Sequence, residues 1–216
     1  MGDLTDMIAV VEADIGQTVS SNTVPTQDQV VAWANSGTLL LAGLLCSSGR
    51  FDLLMKLIES EEKTDGANGK VSLPDTNDVI IGWLSIEIGT ASAVYVANVK
   101  DLREVLKSQA DTIAGADATN PVCAFGDGKL YYAPKTGPDR AVYTFVEKPT
   151  TMVKTSAEDF PYSEVGIPVV TEYMLYKTYS QREKNLEKAN IHLQAFINFT
   201  TRITGLPGEV ITNAVP

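Results

Sequence analysis

His192 is the only histidine of the chain, so any imidazole chemistry has to start there. It lies between Ile191 and Leu193 in a run of helical periodicity, and no Ser-His-Asp or Cys-His set can be assembled around it from the sequence. The imidazole therefore reads as structural. The acidic run Glu59, Glu61, Glu62 and Asp65 has the donor type for a hard cation but lacks the loop spacing of a calcium hand, so a solvated face is expected. Gly126-Asp127-Gly128 lacks the third glycine and the strand-to-helix setting of a dinucleotide loop and reads as a turn. Tyr131 and Tyr132 could stack on bases, yet their basic companions are only Lys129 and Lys135; the core and rim of a sheet is the expected place for them. Cys46 and Cys123 fit neither C-x-x-C spacing nor a disulfide framework and read as buried free thiols. No catalytic residue, cofactor site or metal site is expected, and hence no enzyme.

These side chains belong to 216 residues of which 44% are hydrophobic, enough for one substantial core with at most an insertion or satellite. Lys and Arg number 17 against 27 Asp and Glu, a net charge of -10. That balance argues against gripping nucleic acid by phosphate neutralisation, but not against contact that must not stick. No run of about eighteen apolar residues suggests a bilayer span, and Met1-Gly2-Asp3 lacks the basic start of a secretory signal. A soluble chain made in a cytoplasm is expected.

Residues 160–205 organise the rest. Val165, Val169, Tyr173 and Tyr176 recur at helical spacing, Ser180-Gln181-Arg182 break the pattern, and Leu186, Ala189, Leu193, Phe196, Ile197 and Ile203 resume it. Lys184, Lys188, Asn190, Gln194 and Asn198 fall between them. Two antiparallel helices are predicted, the second stopped by Gly205 and Pro207. Near the other end, Leu4, Ile8, Val11 and Ile15 mark a short helix with Asp3, Asp6 and Glu12 on its wet sides. Thr26-Gln27-Asp28-Gln29 has capping-box spacing and opens a second helix through Val30, Ala34, Leu41 and Leu45, closed by Ser47-Ser48-Gly49. Apolar stripes on separate helices have only each other to cover them, so Leu41, Leu45, Tyr173, Leu193 and Phe196 are expected to pack together. Residues 51–58 fit a helical turn or the opening of a strand.

From Glu59 the periodicity changes. Glu59-Ser60-Glu61-Glu62-Lys63 reads as a solvated charge run, and Asp65-Gly66-Ala67-Asn68-Gly69 as a hairpin turn flanked by strands. Residues 79–88 alternate, with Ile80, Leu84, Ile86 and Ile88 on one face and Ile81, Trp83 and Glu87 on the other; residues 93–96 are the partner strand across Gly89-Thr90. Residues 99–109 read as helical, with Leu102 and Leu106 four apart, and 110–120 as a loop. Three short strands then follow at 122–125, 129–133 and 141–147, tightly joined and ended by Lys148-Pro149. The expected fold class is α+β. A helical bundle forms from residues 1–58 and 160–205, a β-rich insertion with one short helix spans 59–159, and 206–216 is an extended C-terminal tail.

Several features follow one another in this order: a short first helix, a capped second helix, and Leu73-Pro74-Asp75 before a long strand. After them come the hairpin Phe125-Gly126-Asp127-Gly128-Lys129-Leu130-Tyr131-Tyr132-Ala133-Pro134, the strand Tyr143-Thr144-Phe145-Val146-Glu147-Lys148-Pro149, and a final helix pair rich in Tyr, Ala and Lys. Over nearly its whole length the chain resembles the head-to-tail connector proteins of tailed bacteriophages, the family of portal adaptors and tail tubular A proteins. The resemblance implies a structural virion protein at the head-tail interface. Its partners would be further copies of itself in a ring, usually twelvefold, the portal protein above and a tail or nozzle protein below, with DNA passing through and no membrane. It implies no cofactor.

In such a channel carboxylates keep phosphates from sticking, which makes Glu59, Glu61, Glu62 and Asp65, or the first helix, candidates for its wall or rim. Leu206, Val210, Ile211 and Val215, set among prolines and a glycine, are candidates for docking a portal or neighbouring subunit as an extended segment. Removing residues 206–216 is then expected to leave the fold intact. The alternatives are another phage virion subunit, of head-completion or tail-tube type, and a stand-alone binding module of unknown ligand; a tube protein is expected to be mostly β.

Overall fold

Helix α4 (Gly166–Ser180) is covered on nearly every side: Val169, Val170, Tyr173, Met174, Leu175 and Tyr179 are all buried, and residues at those spacings cannot share one face. The computed structural model describes residues 4–75, 79–110, 116–153, 160–162, 164–181 and 185–216. Asp3, Ser163, Arg182, Lys184 and residues 111–115 of the expected loop lie outside the described residues. Around α4 pack α1 (Leu4–Ile15), α2 (Gln27–Ser47) and α5 (Leu186–Thr204). The single stripe expected of α4 is thus too narrow, and its first member is misplaced, since Val165 is 49% exposed.

The α2 start follows the sequence reading. Thr26 accepts from the Gln29 amide at 3.3 Å while the Thr26 amide donates to Gln29 Oε1 at 2.9 Å, so two orphan donors of the first turn are satisfied reciprocally. The expectation that nothing is apolar enough to span a bilayer needs correcting. Among the described residues α2, with 21 residues and a window of mean hydropathy 1.5, is long and apolar enough, because averaging runs over Asn35, Ser36 and Thr38. Within the fold 44% of that window is buried. Val30, Ala34, Leu41 and Leu45 are buried, and the Asn35 amide holds the Met152 backbone through both its groups, at 2.9 and 2.8 Å.

On α5 the stripe holds at Ala189, Phe196 and Ile197, which are buried, and Phe196 meets Tyr173 at 5.6 Å between ring centroids. Leu193 and Ile203 are only half-buried and Leu186 is 63% exposed. Thr200 and Thr204 take the buried positions instead. Each hydroxyl donates to the carbonyl four residues back, at 2.7 Å, which lets a polar residue occupy an apolar face. Gly205 ends the helix with φ 73°, as the stop signal requires.

The fold is α+β, and the chain divides into two units, Met1–Leu57 with Lys148–Pro216, and Ile58–Glu147. Two 3-10 turns (Phe51–Leu53 and Met55–Leu57) precede the second unit, and β1 (Ile58–Lys63) opens it. There follow β2 (Lys70–Ser72), β3 (Ile80–Thr90), β4 (Ala93–Val96), β5 (Asn98–Val99), α3 (Leu102–Ala110), β6 (Val122–Gly126), β7 (Lys129–Ala133) and β8 (Arg140–Glu147). They form two sheets, ordered β1-β8-β3-β4 and β2-β7-β6-β5, antiparallel except for the β5–β6 pair. Val71, Cys123, Leu130 and Tyr132 of one sheet share a buried cluster with Ile86, Ile88, Tyr143 and Phe145 of the other. The sheets are therefore a sandwich. On the outer face of the second sheet α3 sets Leu102 and Val105 against Ala124 and Tyr131, while Leu106 is 43% exposed. Covered on both faces, β7 buries Leu130, Tyr131, Tyr132 and Ala133 in succession.

Two of the predicted turns form, whereas Gly89-Thr90 belongs to β3, opposite Val94 and Ala93, and Ala91-Ser92 make the turn instead. Asn68 and Asp127 take φ of 54° and 49°, each followed by a glycine of positive φ, the signature of two-residue hairpin turns. The strands beside the first turn do not pair with each other, however. β1 pairs with β8 and β2 with β7, because Thr64, Asp65 and Gly66 give the chain length to cross between sheets and the Gly66 amide is tied to the Asp139 carbonyl at 2.8 Å. The three late strands divide likewise: β6 and β7 are a hairpin, and β8 joins the first sheet. Strand β3 departs from strict alternation, with register shifts between Ile80 and Gly82 and between Trp83 and Ser85. Each shift adds a residue and reverses the phase. Trp83, expected opposite Ile86 and Ile88, thereby joins Ile80 on their face and packs on Phe125, Tyr143 and Phe145 at 5.1, 5.7 and 5.9 Å.

Phe196→Ala should lower stability by about 3–5 kcal/mol in urea unfolding, whereas Leu186→Ala should stay within about 0.5 kcal/mol; equal losses would show that burial does not govern α5. Cys123 is wholly buried and burial pushes its thiol up to about 12. Ellman's reagent should therefore label Cys46 in the native protein and Cys123 only on unfolding, and prompt labelling of both would contradict the sandwich core.

Candidate functional site

The acidic run, expected as a solvated charge run, lies in an edge strand. β1 borders the first sheet, and charged side chains are what an edge carries to refuse a further strand. Glu59 and Glu61 stand opposite Phe145 and Tyr143, and Glu62 opposite Val142, so pleating sends the carboxylates to alternate faces. Several are already engaged. Lys63 Nζ lies 2.8 Å from both Glu61 Oε1 and Asp75 Oδ1, Glu62 pairs with Arg140, and Asp65 accepts from the Ser72 amide and hydroxyl. The Ser72 hydroxyl holds the Asp65 carboxyl below its ordinary range. Burial pushes Glu61 up, but bonds from Lys63 and the Asp75 amide more than offset this and the net shift is downward. Glu59 and Glu62 are the exposed members within the strand. Among the described residues no three His, Cys, Asp or Glu side chains form a group able to hold a metal ion.

The C-terminal segment is not extended. After Pro207 the chain forms α6 (Gly208–Ala214), which packs on α5. Ile211 is wholly buried while Val210 is 47% exposed; Leu206 and Val215 are half-buried. Lys177 Nζ donates to the Pro216 carbonyl at 2.6 Å. The expectation of an extended tail is corrected by α6, docked through Ile211: one aliphatic side chain per turn is too little for a periodicity signal, yet enough to dock a short helix. The signals that could have found it are Pro207 just before the helix and Glu209 in its first turn.

Among the described residues a set of titratable groups from three helices surrounds His192, and sequence reasoning missed its partners. Nδ1 lies 2.7 Å from Glu172 Oε2 of α4, and Nε2 lies 3.8 Å from Asp14 Oδ2 of α1. The imidazole stacks on Tyr179, with centroids 5.4 Å apart and planes 2° from parallel. Tyr179 Oη donates to Asp14 Oδ2 at 2.6 Å and accepts from Lys188 Nζ at 3.2 Å. Burial is the main cause holding the Tyr179 phenol above its ordinary value, reinforced by its bond to Asp14. A faint signal existed: Glu172 and Tyr179 are seven apart on α4, Lys188 and His192 four apart on α5, so each pair shares a helix face. A carboxylate on Nδ1 fixes the tautomer and orients the ring, but no nucleophilic hydroxyl or thiol stands beside Nε2 among these groups. The arrangement can join three helices and bind; it does not assemble a hydrolytic triad.

No protein-family model matches the chain, and no curated protein sequence matches it. The reading of the C-terminal helix is testable directly. Ile211→Ala should cost about 2–5 kcal/mol, and a chain ending at residue 205 should melt at a lower temperature than the full chain; an unchanged melting temperature would return the segment to a passive role.

Proposed function

We propose that this chain is the protomer of a head-to-tail connector of a tailed bacteriophage, a structural virion protein rather than an enzyme. It assembles as a ring below the portal protein, presents a docking surface to the tail or nozzle protein, and leaves a channel for DNA. The observation that carries the reading is the position of the resembling motifs within one α+β chain. The Asp127-Gly128 turn closes the β6–β7 hairpin, the Tyr143 to Glu147 stretch lies in β8 between β1 and β3, and helices both precede and follow the β unit. The helical content weighs against a tail-tube subunit.

The electrostatics favour the same reading. A net charge of -10 per chain, multiplied around a ring, repels phosphates and avoids the counterion release that would make DNA stick. Glu59 and Glu62 are exposed on a strand edge, where they can face a lumen without unfolding anything. Glu59 is the better probe, because Glu62 is paired with Arg140.

Native mass spectrometry of the full chain, alone and mixed with its portal protein, tests the proposal. A closed ring in either sample is expected; a monomer in both overturns it. Glu59→Lys then tests the channel wall, since one substitution places a lysine in every subunit of the ring. Rings should still assemble but retain DNA in a salt-dependent way, and retention indistinguishable from the parent would remove Glu59 from the lumen.

A further inference from the structure

We propose that the free edge of β4 is a contact for a second copy of this chain, the two β4 strands pairing antiparallel about a two-fold axis at Tyr95. The main-chain pattern fixes which groups are open. The Ala97 amide donates to the Ile86 carbonyl at 2.7 Å, and Ile88 stands opposite Tyr95. Bonded and non-bonded pairs alternate along an antiparallel ladder, so Tyr95 and Ala97 bond inwards to β3 while Val94 and Val96 turn their N–H and C=O groups outwards. Among the described residues nothing takes those outward groups. The other sheet edges are blunted. β1 carries Glu59, Glu61, Glu62 and Lys63, and on β2 the Ser72 amide donates to Asp65 Oδ1 at 3.2 Å while the Ser72 carbonyl accepts from the Tyr143 hydroxyl at 2.8 Å. β5 is only two residues long. β4 has none of these protections, and Tyr95, Val96 and, just beyond it, Val99 are 38%, 64% and 59% exposed.

Charge and symmetry select the occupant. From Ile88 to Val99 no residue is charged, in a chain with 17 basic and 27 acidic side chains. Edge β1 of another copy would bring Glu59, Glu61 and Glu62 against a strand that has no basic residue to pair them, and carboxylates desolvated without a partner are costly. The chain's own β4 brings no charge. Its outward groups are also placed symmetrically about Tyr95, so one register sets Val94 against Val96 of the second copy and Val96 against Val94, and every outward group of both strands is bonded. Tyr95 then meets its counterpart. Because Tyr95 shares a face with Ile88, which is in the sandwich core, the two rings extend the edge of that core, where an aromatic pair adds to the main-chain bonds.

This inference does not depend on the connector reading, because it concerns the free chain. Sedimentation of the full chain over a concentration series should show a monomer-dimer equilibrium. Val96→Lys, at an exposed position, should raise the dissociation constant at least tenfold, while its circular dichroism at concentrations where both proteins are monomeric matches that of the parent. In a non-bonded antiparallel pair the facing Cα atoms are about 4.5 Å apart, within the span of a disulfide. Tyr95→Cys should therefore give a covalent dimer when oxidised with diamide, and neither Glu59→Cys on β1 nor the parent chain should. A monomer at every concentration, a dimer that Val96→Lys leaves unchanged, or Tyr95→Cys cross-linking no better than Glu59→Cys would each overturn the proposal.

Discussion

The near-complete burial of α4 constrains everything in the helical unit. A helix with one apolar stripe can be covered by one neighbour, but α4 needs α1, α2 and α5 together, and its polar atoms need partners where water is excluded. The Thr171 hydroxyl donates to the Ile167 carbonyl at 2.9 Å and Tyr179 reaches Asp14. Lys177 places its ammonium over the rings of Tyr173 and Tyr176 at 5.5 and 5.4 Å and donates to the Pro216 carbonyl, while burial lowers its pKa. The approach of α2 is set by Gly37, where a methyl group would come within 2.8 Å of the Tyr173 ring. Space for the Tyr173 ring and absence of a side chain on Gly37 are one condition seen from two helices.

In the β unit the corresponding constraint is that β7, in the second sheet, is buried on both faces, by the first sheet and by α3. Gln109 shows how this is made compatible with hydrogen bonding: from α3 its side-chain amide donates to the carbonyls of Gly69 and Tyr132 at 2.8 Å each. A helix side chain thus serves main-chain groups around the end of the β2–β7 pair. Tyr143 does the same across the sandwich, its hydroxyl donating to the Ser72 carbonyl at 2.8 Å.

What was legible in the sequence was local chemistry. The Thr26–Gln29 box, the Gly205 stop and the two positive-φ turns depend on residues within four positions of each other, and each formed as read. What was not legible depends on which element lies across from which. Edge strand β1 carries charges because it is an edge, and a charge run masks the apolar alternation that marks a strand. Trp83 changes face because of a register shift, and nothing in an alternating pattern announces an extra residue. The buried threonines of α5 break the stripe because their hydroxyls are satisfied within the helix. The surroundings of His192 were out of reach for the same reason: Asp14, Glu172 and Lys188 sit on three helices whose packing no single periodicity encodes. The α+β class was readable from the order of patterns, and the sandwich was not, since sheet membership is decided by pairing.

The pairing of β1 with β8 has a consequence for how the chain folds. Ile58 stands opposite Val146, so the two ends of the β unit meet at one place in one sheet. This unit is contiguous, about ninety residues long, and is complete before any of α4 has been synthesised. The helical unit is split around it, and α2 must wait for a partner that lies far along the chain. Bringing the ends of an unstructured loop of that length together costs on the order of 4 kcal/mol. Once the sandwich has formed, that cost has already been met and α2 and α4 are held on a short tether. The inserted β unit therefore acts as a molecular clasp, making a distant helix pair local in kinetics although it is remote in sequence.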